Sequence, residues 1–139
     1  MSAPRPEDAE SEVLILSDGD IVTARRKGRM LAEQLRFSSI DQVLITTAIS
    51  ELARNILLYA KGGQICLARL NHHERKGIQV IARDRGPGIP DIERAMQPGY
   101  STSASLGLGL PGVKRLMDEM FVESSIGVGT TVTVRKWKA

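Results

Sequence analysis

The chain has 139 residues, of which 42% are apolar and 25% charged; this composition is typical of one globular domain and excludes a disordered chain. A single cysteine excludes an intrachain disulfide, and no apolar run approaches the ~18 residues that a membrane span needs. The first 20 residues carry one base and six acids, whereas the rest of the chain carries 18 bases and ten acids.

The basic body of the chain suits a phosphate-bearing small molecule or an acidic protein partner. Nucleic acid is a poor candidate, because two Tyr, two Phe and one Trp are few for base stacking and no nucleic-acid motif is present. The polar, acidic start of the chain lacks the basic and apolar regions of a secretory signal. We therefore expect a cytoplasmic protein that does not contact a membrane.

Residues 1–11 contain two prolines and several acids without apolar periodicity, so they are predicted to be a mobile tail, and residues 12–139 are predicted to form one domain. The apolar run 13–16 predicts a strand. Asp20 is the expected N-cap of a first helix, whose apolar positions recur at helical spacing. The cations at 25–27 and 29 lie mostly off that stripe. This favours a solvated helix face, and a docking face for an acidic partner is the alternative.

A second helix is predicted to begin near Ser38 and to end at residues 61–63, where glycine provides the C-cap. Its apolar positions form a broad stripe, made of Val43, Leu44, Thr47, Ala48, Leu52, Ile56 and Tyr59. Residues 64–70 and 78–82 are predicted to pair as a hairpin across a polar turn at 71–77. Cys66 lies in the first of these strands and is expected to be a buried, unreactive thiol.

Glycine and proline predict a loop at 84–90, followed by a short helical turn at 91–96 and a small, polar segment at 97–106. A third helix is then predicted to reach Met120, and residues 121–125 and 130–137 are predicted to form a second hairpin. The order β-α-α-β-β-α-β-β predicts an α/β two-layer sandwich, with a mainly antiparallel mixed sheet covered by helices on one face.

Two of the candidate motifs are rich in glycine. The segment 107–112 (GLGLPG) directly precedes a helix, where exposed backbone N–H groups favour an anion, although glycines also simply end loops. Asp84 follows an apolar strand and precedes Gly86 and Gly88. A carboxylate at this point can accept a hydrogen bond from a ligand amino group beside a backbone that a ligand can approach closely; a turn-forming Asp is the alternative.

The third motif is a carboxylate and an amide on the second helix. Glu51 and Asn55 are four residues apart and therefore project from one face. A partly buried carboxylate is costly without a partner, which favours a role toward a ligand or a nucleophile. An ordinary hydrogen-bonded pair, or an ion pair between Glu51 and Arg54, is the alternative.

The order of these motifs is more specific than any one of them. Glu-x-x-x-Asn on a helix, Asp-x-Gly-x-Gly after a strand, Gly-x-Gly before a helix and Gly-Thr at the start of a strand resemble the Bergerat ATP-binding (GHKL) fold of gyrase, heat-shock chaperone ninety, histidine kinases and mismatch-repair ATPases. The resemblance covers about residues 12–139. Residues 51–55 (ELARN), 99–112 and 113–119 also resemble the RsbT switch kinases, which are serine/threonine protein kinases of bacterial stress signalling related to the anti-sigma factor kinases.

The resemblance implies a role for each motif residue. Glu51 would be the general base for the acceptor hydroxyl, and Asn55 would be a ligand of the Mg²⁺ ion that bridges the phosphates of ATP. Asp84 would bind the adenine amino group, helped by Thr130 through a water molecule. Residues 97–106 would form a lid over the nucleotide. The remaining positions would line the adenine pocket or the triphosphate; they are Gly86, Gly88, Gly107, Leu108, Gly109 and Gly112.

The resemblance also implies partners. Histidine kinases commonly have His where this chain has Glu51, and they carry a phosphoacceptor domain of their own. Here the acceptor is expected to be a Ser or Thr of a STAS-domain protein, and the released kinase would activate a serine phosphatase by binding it. One alternative is a non-catalytic ATP-binding module that acts as an anti-sigma or phosphatase-activating protein, and Glu51 argues against it. The other is a stand-alone ATP hydrolase, and the missing transducer domain argues against that.

Overall fold

An antiparallel sheet and three helices make up the part of the chain that the computed structural model describes, which is residues 4–88, 96 and 109–139. The strands are β1 (Ser11–Ile15), β2 (Gly63–His72), β3 (Arg75–Asp84), β4 (Glu119–Ser125) and β5 (Gly129–Trp137), and the helices are α1 (Asp18–Gln34), α2 (Ser39–Tyr59) and α3 (Gly109–Leu116). The strand order is β1-β2-β3-β5-β4, and each of these neighbouring pairs is antiparallel. The predicted α/β two-layer sandwich is confirmed; the predicted helical turn at 91–96, apart from Met96, and the lid lie outside the described residues.

The helices cover one face of the sheet and bury a continuous apolar core against it. Because side chains alternate along a strand, every second residue of β2, β3 and β5 contributes to this core. The residues in register across these strands are Ile65, Leu67, Val80, Ala82, Val132 and Val134. From α2, Ile45, Ile49 and Ile56 pack against them. Burying each such side chain contributes roughly 1.5–3 kcal/mol, so the core holds the helical layer on the sheet.

The N-terminus of α1 differs from its prediction by one turn. Ser17 is the N-cap, and Asp20 lies three residues inside the helix. The Asp20 carboxylate accepts hydrogen bonds from the backbone N–H groups of Leu16, at 2.8 Å, and Ser17, at 3.0 Å. The first of these bonds is the main reason why the pKa of Asp20 is lowered from its ordinary value.

The two long helices pack closely, and α2 follows its prediction at one end. The hydroxyl of Ser38 accepts a hydrogen bond from the Asp41 N–H at 3.1 Å, which is the expected N-cap. At the other end the C-cap is Ala60 with an extended backbone rather than a left-handed glycine. Gly28 of α1 faces the buried Ile49 of α2 so closely that a methyl group there would overlap the isoleucine side chain.

Two other boundaries differ from the sequence predictions. The β2–β3 hairpin turns on His73 and Glu74 alone, both at positive φ (48° and 67°), instead of on seven residues. The third helix ends at Leu116, and Met120 belongs to β4, where it pairs with Val134. None of the described helices combines the length and the apolar character needed to cross a bilayer.

Residues 4–10 contact the sheet at two points. Glu10 extends β1: its N–H donates to the Leu67 carbonyl at 2.8 Å, and its carboxylate accepts from the backbone and side chain of Arg69. On the face of the sheet opposite the helices, the side-chain amide of Gln79 donates to the Pro4 carbonyl at 2.7 Å. The mobility of residues 1–11 stays a prediction.

Candidate active site

Asp84 ends β3 and holds the start of the following loop with one of its two carboxylate oxygens. Oδ1 accepts the N–H of Gly86 at 2.8 Å and the N–H of Thr130 at 3.2 Å, so it joins the loop to the beginning of β5. Oδ2 makes no hydrogen bond with any residue that the structure describes. The carboxylate is half-buried. Its geometry therefore leaves one oriented acceptor for a donor group of a ligand.

Both glycines of the loop lie where a side chain does not fit. A Cβ on Gly86 would come within 2.9 Å of the Tyr59 carbonyl oxygen and the Ala60 methyl, because the loop lies against the C-terminal end of α2. Gly88 has a φ of +82°, and its Cβ would lie 2.5 Å from the Ser125 carbonyl oxygen. The sequence therefore needs glycine at both positions for a steric reason, which is independent of any ligand.

The sequence analysis used the pair Gly129-Thr130 in the motif order but gave a role at the site to Thr130 alone. Gly129 has a φ of +144°, and a Cβ on it would overlap the Asp84 carbonyl oxygen. The hydroxyl of Thr130 lies 2.9 Å from the hydroxyl of Ser124, its partner in the β4–β5 ladder. The signal for Gly129 was present in the turn at 126–129, where two glycines alternate with apolar residues.

Glu51 is a buried carboxylate on α2, with 9% of its surface exposed. It forms an ion pair with Arg54, whose Nη1 lies 2.9 Å from Oε1. The ion pair that helical spacing offered as the alternative is therefore present. The guanidinium group of Arg54 orients the Glu51 carboxylate, and burial keeps most of that carboxylate out of contact with water.

Asn55 lies one turn further along α2, between Glu51 and the glycine loop. Its half-buried amide makes no hydrogen bond within the described part of the chain. One turn later, the Tyr59 carbonyl backs Gly86. An amide oxygen is a hard ligand of the kind that Mg²⁺ accepts. Within residues 4–88, 96 and 109–139, no group of three acidic, His or Cys side chains could hold a metal ion by itself.

Helix α3 packs against α2. Gly109 begins the helix with a φ of +64°, and Gly112 is buried together with Val113, which belongs to the core. Free backbone N–H groups at a helix start attract an anion. The other two residues predicted to line a triphosphate, Gly107 and Leu108, lie outside the described residues.

Similarity to known proteins agrees with this arrangement. Residues 40–139 match the model of the histidine kinase-, DNA gyrase B- and HSP90-like ATPases. The chain is 54% identical over 128 residues to the serine/threonine-protein kinase RsbT of Bacillus subtilis (strain 168), and the match spans 92% of this chain and 96% of that protein. The chain belongs to the RsbT-type serine/threonine kinases of this ATPase family. The predicted kinase activity and use of ATP are thereby confirmed.

More distant relatives agree with this family and with its fold. The kinase is 34% identical over 99 residues to the anti-sigma F factor of Geobacillus stearothermophilus, a match that spans 66% of each chain. The predicted function, a kinase of a bacterial partner-switching system, is confirmed at this level. Two solved structures share the fold: the SiaB–SiaC complex of Pseudomonas aeruginosa (TM-score 0.59, 13% identity, 93% of this chain and 90% of that one) and the RsbU and RsbW domains of a Mycobacterium tuberculosis protein (TM-score 0.58, 20% identity, 93% and 33%).

Proposed function

We propose that the kinase transfers the γ-phosphoryl group of ATP to a Ser or Thr hydroxyl of a STAS-domain protein in the cytoplasm, with Glu51 as the general base. The observation that carries this proposal is the buried Glu51 carboxylate on α2, one turn from the Asn55 amide. A buried carboxylate costs stability that an exposed helix position would not, and a role in proton transfer accounts for its retention.

The nucleotide is proposed to bind at the edge of the domain where β3 ends, beside the C-terminal half of α2 and the start of α3. Oδ2 of Asp84 would accept the adenine amino group, while Oδ1 stays bound to Gly86 and Thr130. Gly88 would let the adenine approach the backbone. The triphosphate would lie at the N-terminus of α3, whose first turn begins at Gly109 and would offer backbone N–H groups.

The residues present fit a magnesium ion as a companion of ATP. The Asn55 amide oxygen has no competing hydrogen bond within the described residues, and a single protein oxygen suits an ion that is otherwise held by phosphates and water. When bound, the ion would neutralise the phosphate charge. Asn55 is its proposed ligand.

The transfer step needs positioning more than covalent chemistry. The acceptor hydroxyl oxygen forms a bond to the γ-phosphorus, the bond from that phosphorus to the β,γ-bridging oxygen breaks, and ADP leaves. The hydroxyl proton passes to the Glu51 carboxylate. Arg54 holds that carboxylate at 2.9 Å and keeps it oriented toward one side of α2.

Partner switching would follow from this reaction. Phosphorylation of the STAS-domain protein would release the kinase, which would then bind and activate a serine phosphatase. The ion pair between Glu51 and Arg54 favours one second candidate, an ATP-binding module without catalysis, because it satisfies the carboxylate inside the protein.

The decisive experiment is intact-mass spectrometry of each STAS-domain protein of the same genome after incubation with the kinase and Mg·ATP. We expect wild type to add one phosphate and Glu51→Gln to add none while it still binds ATP. Glu119→Gln is the matched control, since Glu119 also pairs with an arginine, at 3.3 Å, but belongs to an edge strand of the sheet. Transfer by Glu51→Gln at the wild-type rate would refute the role of the base. A stable complex without transfer by wild type would favour the binding module.

A further inference from the structure

The solvent side of α2 carries apolar side chains that nothing in the described chain covers. Ile40 is 73% exposed and Val43 61% exposed, and Leu44 and Thr47 beside them are half-buried. Val43, Leu44 and Thr47 follow Ile40 by three, four and seven positions, so the four residues form one stripe, here called the α2 stripe. The core side of the same turns is occupied by Ile45, which is fully buried. Within residues 4–88, 96 and 109–139, the α2 stripe therefore has no packing partner that covers Ile40 and Val43.

The α2 stripe runs directly to the candidate active site. Thr47 precedes Glu51 by one helical turn, so both lie on the same side of α2. Ile40 lies eleven residues before Glu51, which is about 16 Å along a helix axis that rises ~1.5 Å per residue. A protein that covers a typical ~800 Å² of a partner spans about 30 Å. A footprint centred on Glu51 would therefore reach about 15 Å along α2, which includes Thr47, Leu44 and Val43 and ends near Ile40.

The neighbouring surface of α1 is basic. Helices α1 and α2 are joined by residues 35–38 and cover the same face of the sheet, with Gly28 packed on Ile49 near the middle of both. Four consecutive or nearly consecutive cations on α1 are exposed, at 25–27 and 29. Among the described residues only Arg29 of this group has an ion-pair partner, Glu33. Exposed cations on the helix that packs against α2 complement a partner whose surface is apolar at its centre and acidic at its rim.

We propose that the α2 stripe is the docking surface for the acceptor protein of the kinase, and that the cations of α1 border this surface. The proposal rests on the proposed function, since it assigns the place where that reaction's protein substrate binds. It adds that substrate affinity depends on side chains one to three helical turns away from the reacting groups. ATP binding does not involve these side chains.

The test is the double variant Ile40→Ala/Val43→Ala, assayed for transfer to and binding of each STAS-domain protein of the same genome. Both side chains are exposed and alanine favours helix, so the fold and the affinity for ATP are expected to be unchanged. The KM for the acceptor is expected to rise about tenfold, which corresponds to about 1.4 kcal/mol, because two apolar contacts of the interface are truncated together. The rate at saturating acceptor is expected to stay at the wild-type value.

The matched control is Leu14→Ala/Phe121→Ala, which removes two exposed apolar side chains from the edge strands β1 and β4. An unchanged KM in the α2 double variant, with wild type active, would overturn the docking surface and leave the proposed function intact. Weaker binding of a STAS-domain protein that wild type binds without phosphorylating would support the docking surface and refute the proposed function. A wild-type dimer that the double variant dissociates would assign the stripe to a second copy and overturn the proposal, as would the absence of any STAS-domain partner.

Discussion

Replacing Asp84 by Asn separates the structural use of this side chain from its use toward a ligand. In the wild type, Oδ1 accepts two backbone N–H groups, at 2.8 Å from Gly86 and 3.2 Å from Thr130. Asparagine keeps an oxygen at that position but places an NH₂ donor where Oδ2 was. Two hydrogen bonds then change from charged to neutral acceptors, which costs about 1–2 kcal/mol of folding stability at a half-buried position.

The expected cost in ATP binding is larger. The adenine amino group would lose a charged acceptor and face a second donor, which costs about 3 kcal/mol, or roughly a hundredfold in Kd. Titration calorimetry would measure ATP and GTP affinity, and urea unfolding would measure stability. The preference for ATP over GTP should fall as well, because the new NH₂ group can donate to the O6 carbonyl of guanine.

Asp118→Asn is the matched control for this experiment. The Asp118 carboxylate also accepts a backbone N–H, that of Trp137 at 2.7 Å, but it is exposed and directly precedes β4. It should lose comparable stability and no affinity for ATP. Wild-type affinity in a folded Asp84→Asn protein would refute the adenine contact. Global unfolding of that variant would mean that Asp84 serves the fold alone.

Three further outcomes are expected. Asn55→Ala should keep the fold and lose the part of the ATP affinity that depends on Mg²⁺; equal affinity of wild type with and without Mg²⁺ would contradict this. Gly129→Ala should cost more than about 2 kcal/mol, because a Cβ at a φ of +144° meets the Asp84 backbone, and a chemical denaturation curve like that of wild type would argue against the strain. Asp20→Asn should destabilise the kinase at neutral pH: backbone hydrogen bonds lower the folded-state pKa of Asp20, so its contribution is complete above its ordinary value of 3.8 and is lost as the pH falls through the lowered value. The difference from wild type should therefore vanish in acid, and urea unfolding at several pH values would check this.

The pattern of elements could be predicted because each one has a local cause. The N-cap at Ser38 depends only on neighbouring residues and appears where the sequence indicates. Strands β2 and β3 also appear there, although their central residues are buried on both faces and not alternately. The motif order was informative for another reason: Asp84 and Thr130 are far apart in the chain, but a hydrogen bond joins them in the fold. Sequence spacing could indicate that both residues serve one site, but it could not supply that bond.

Three sequence predictions were wrong because the pattern of side chains along the chain did not determine burial or backbone pairing. Val43 fits the apolar periodicity of α2 but is 61% exposed, because the predicted apolar face of this helix is wider than the surface that packs on the sheet. The β2–β3 ladder continues through residues 71–77 except at His73 and Glu74, because backbone pairing tolerates polar residues at the end of a hairpin. Met120 fits the apolar pattern of a helix as well as that of a strand. In the structure it pairs with Val134 and therefore belongs to β4.

The buried thiol of Cys66 is a built-in probe of local opening in the sheet. Cys66 is the one cysteine of the sequence and is 2% exposed in β2, between Glu12 of β1 and Ile81 of β3. Burial and, secondarily, the charge of Glu12 raise the pKa of this thiol, so an alkylating reagent reacts only after a local opening exposes it. The alkylation rate at fixed pH therefore reports how often this part of the sheet opens, without any label or engineered residue. If nucleotide and protein partners tighten the sheet as well as the helices, that rate will fall in step with their occupancy.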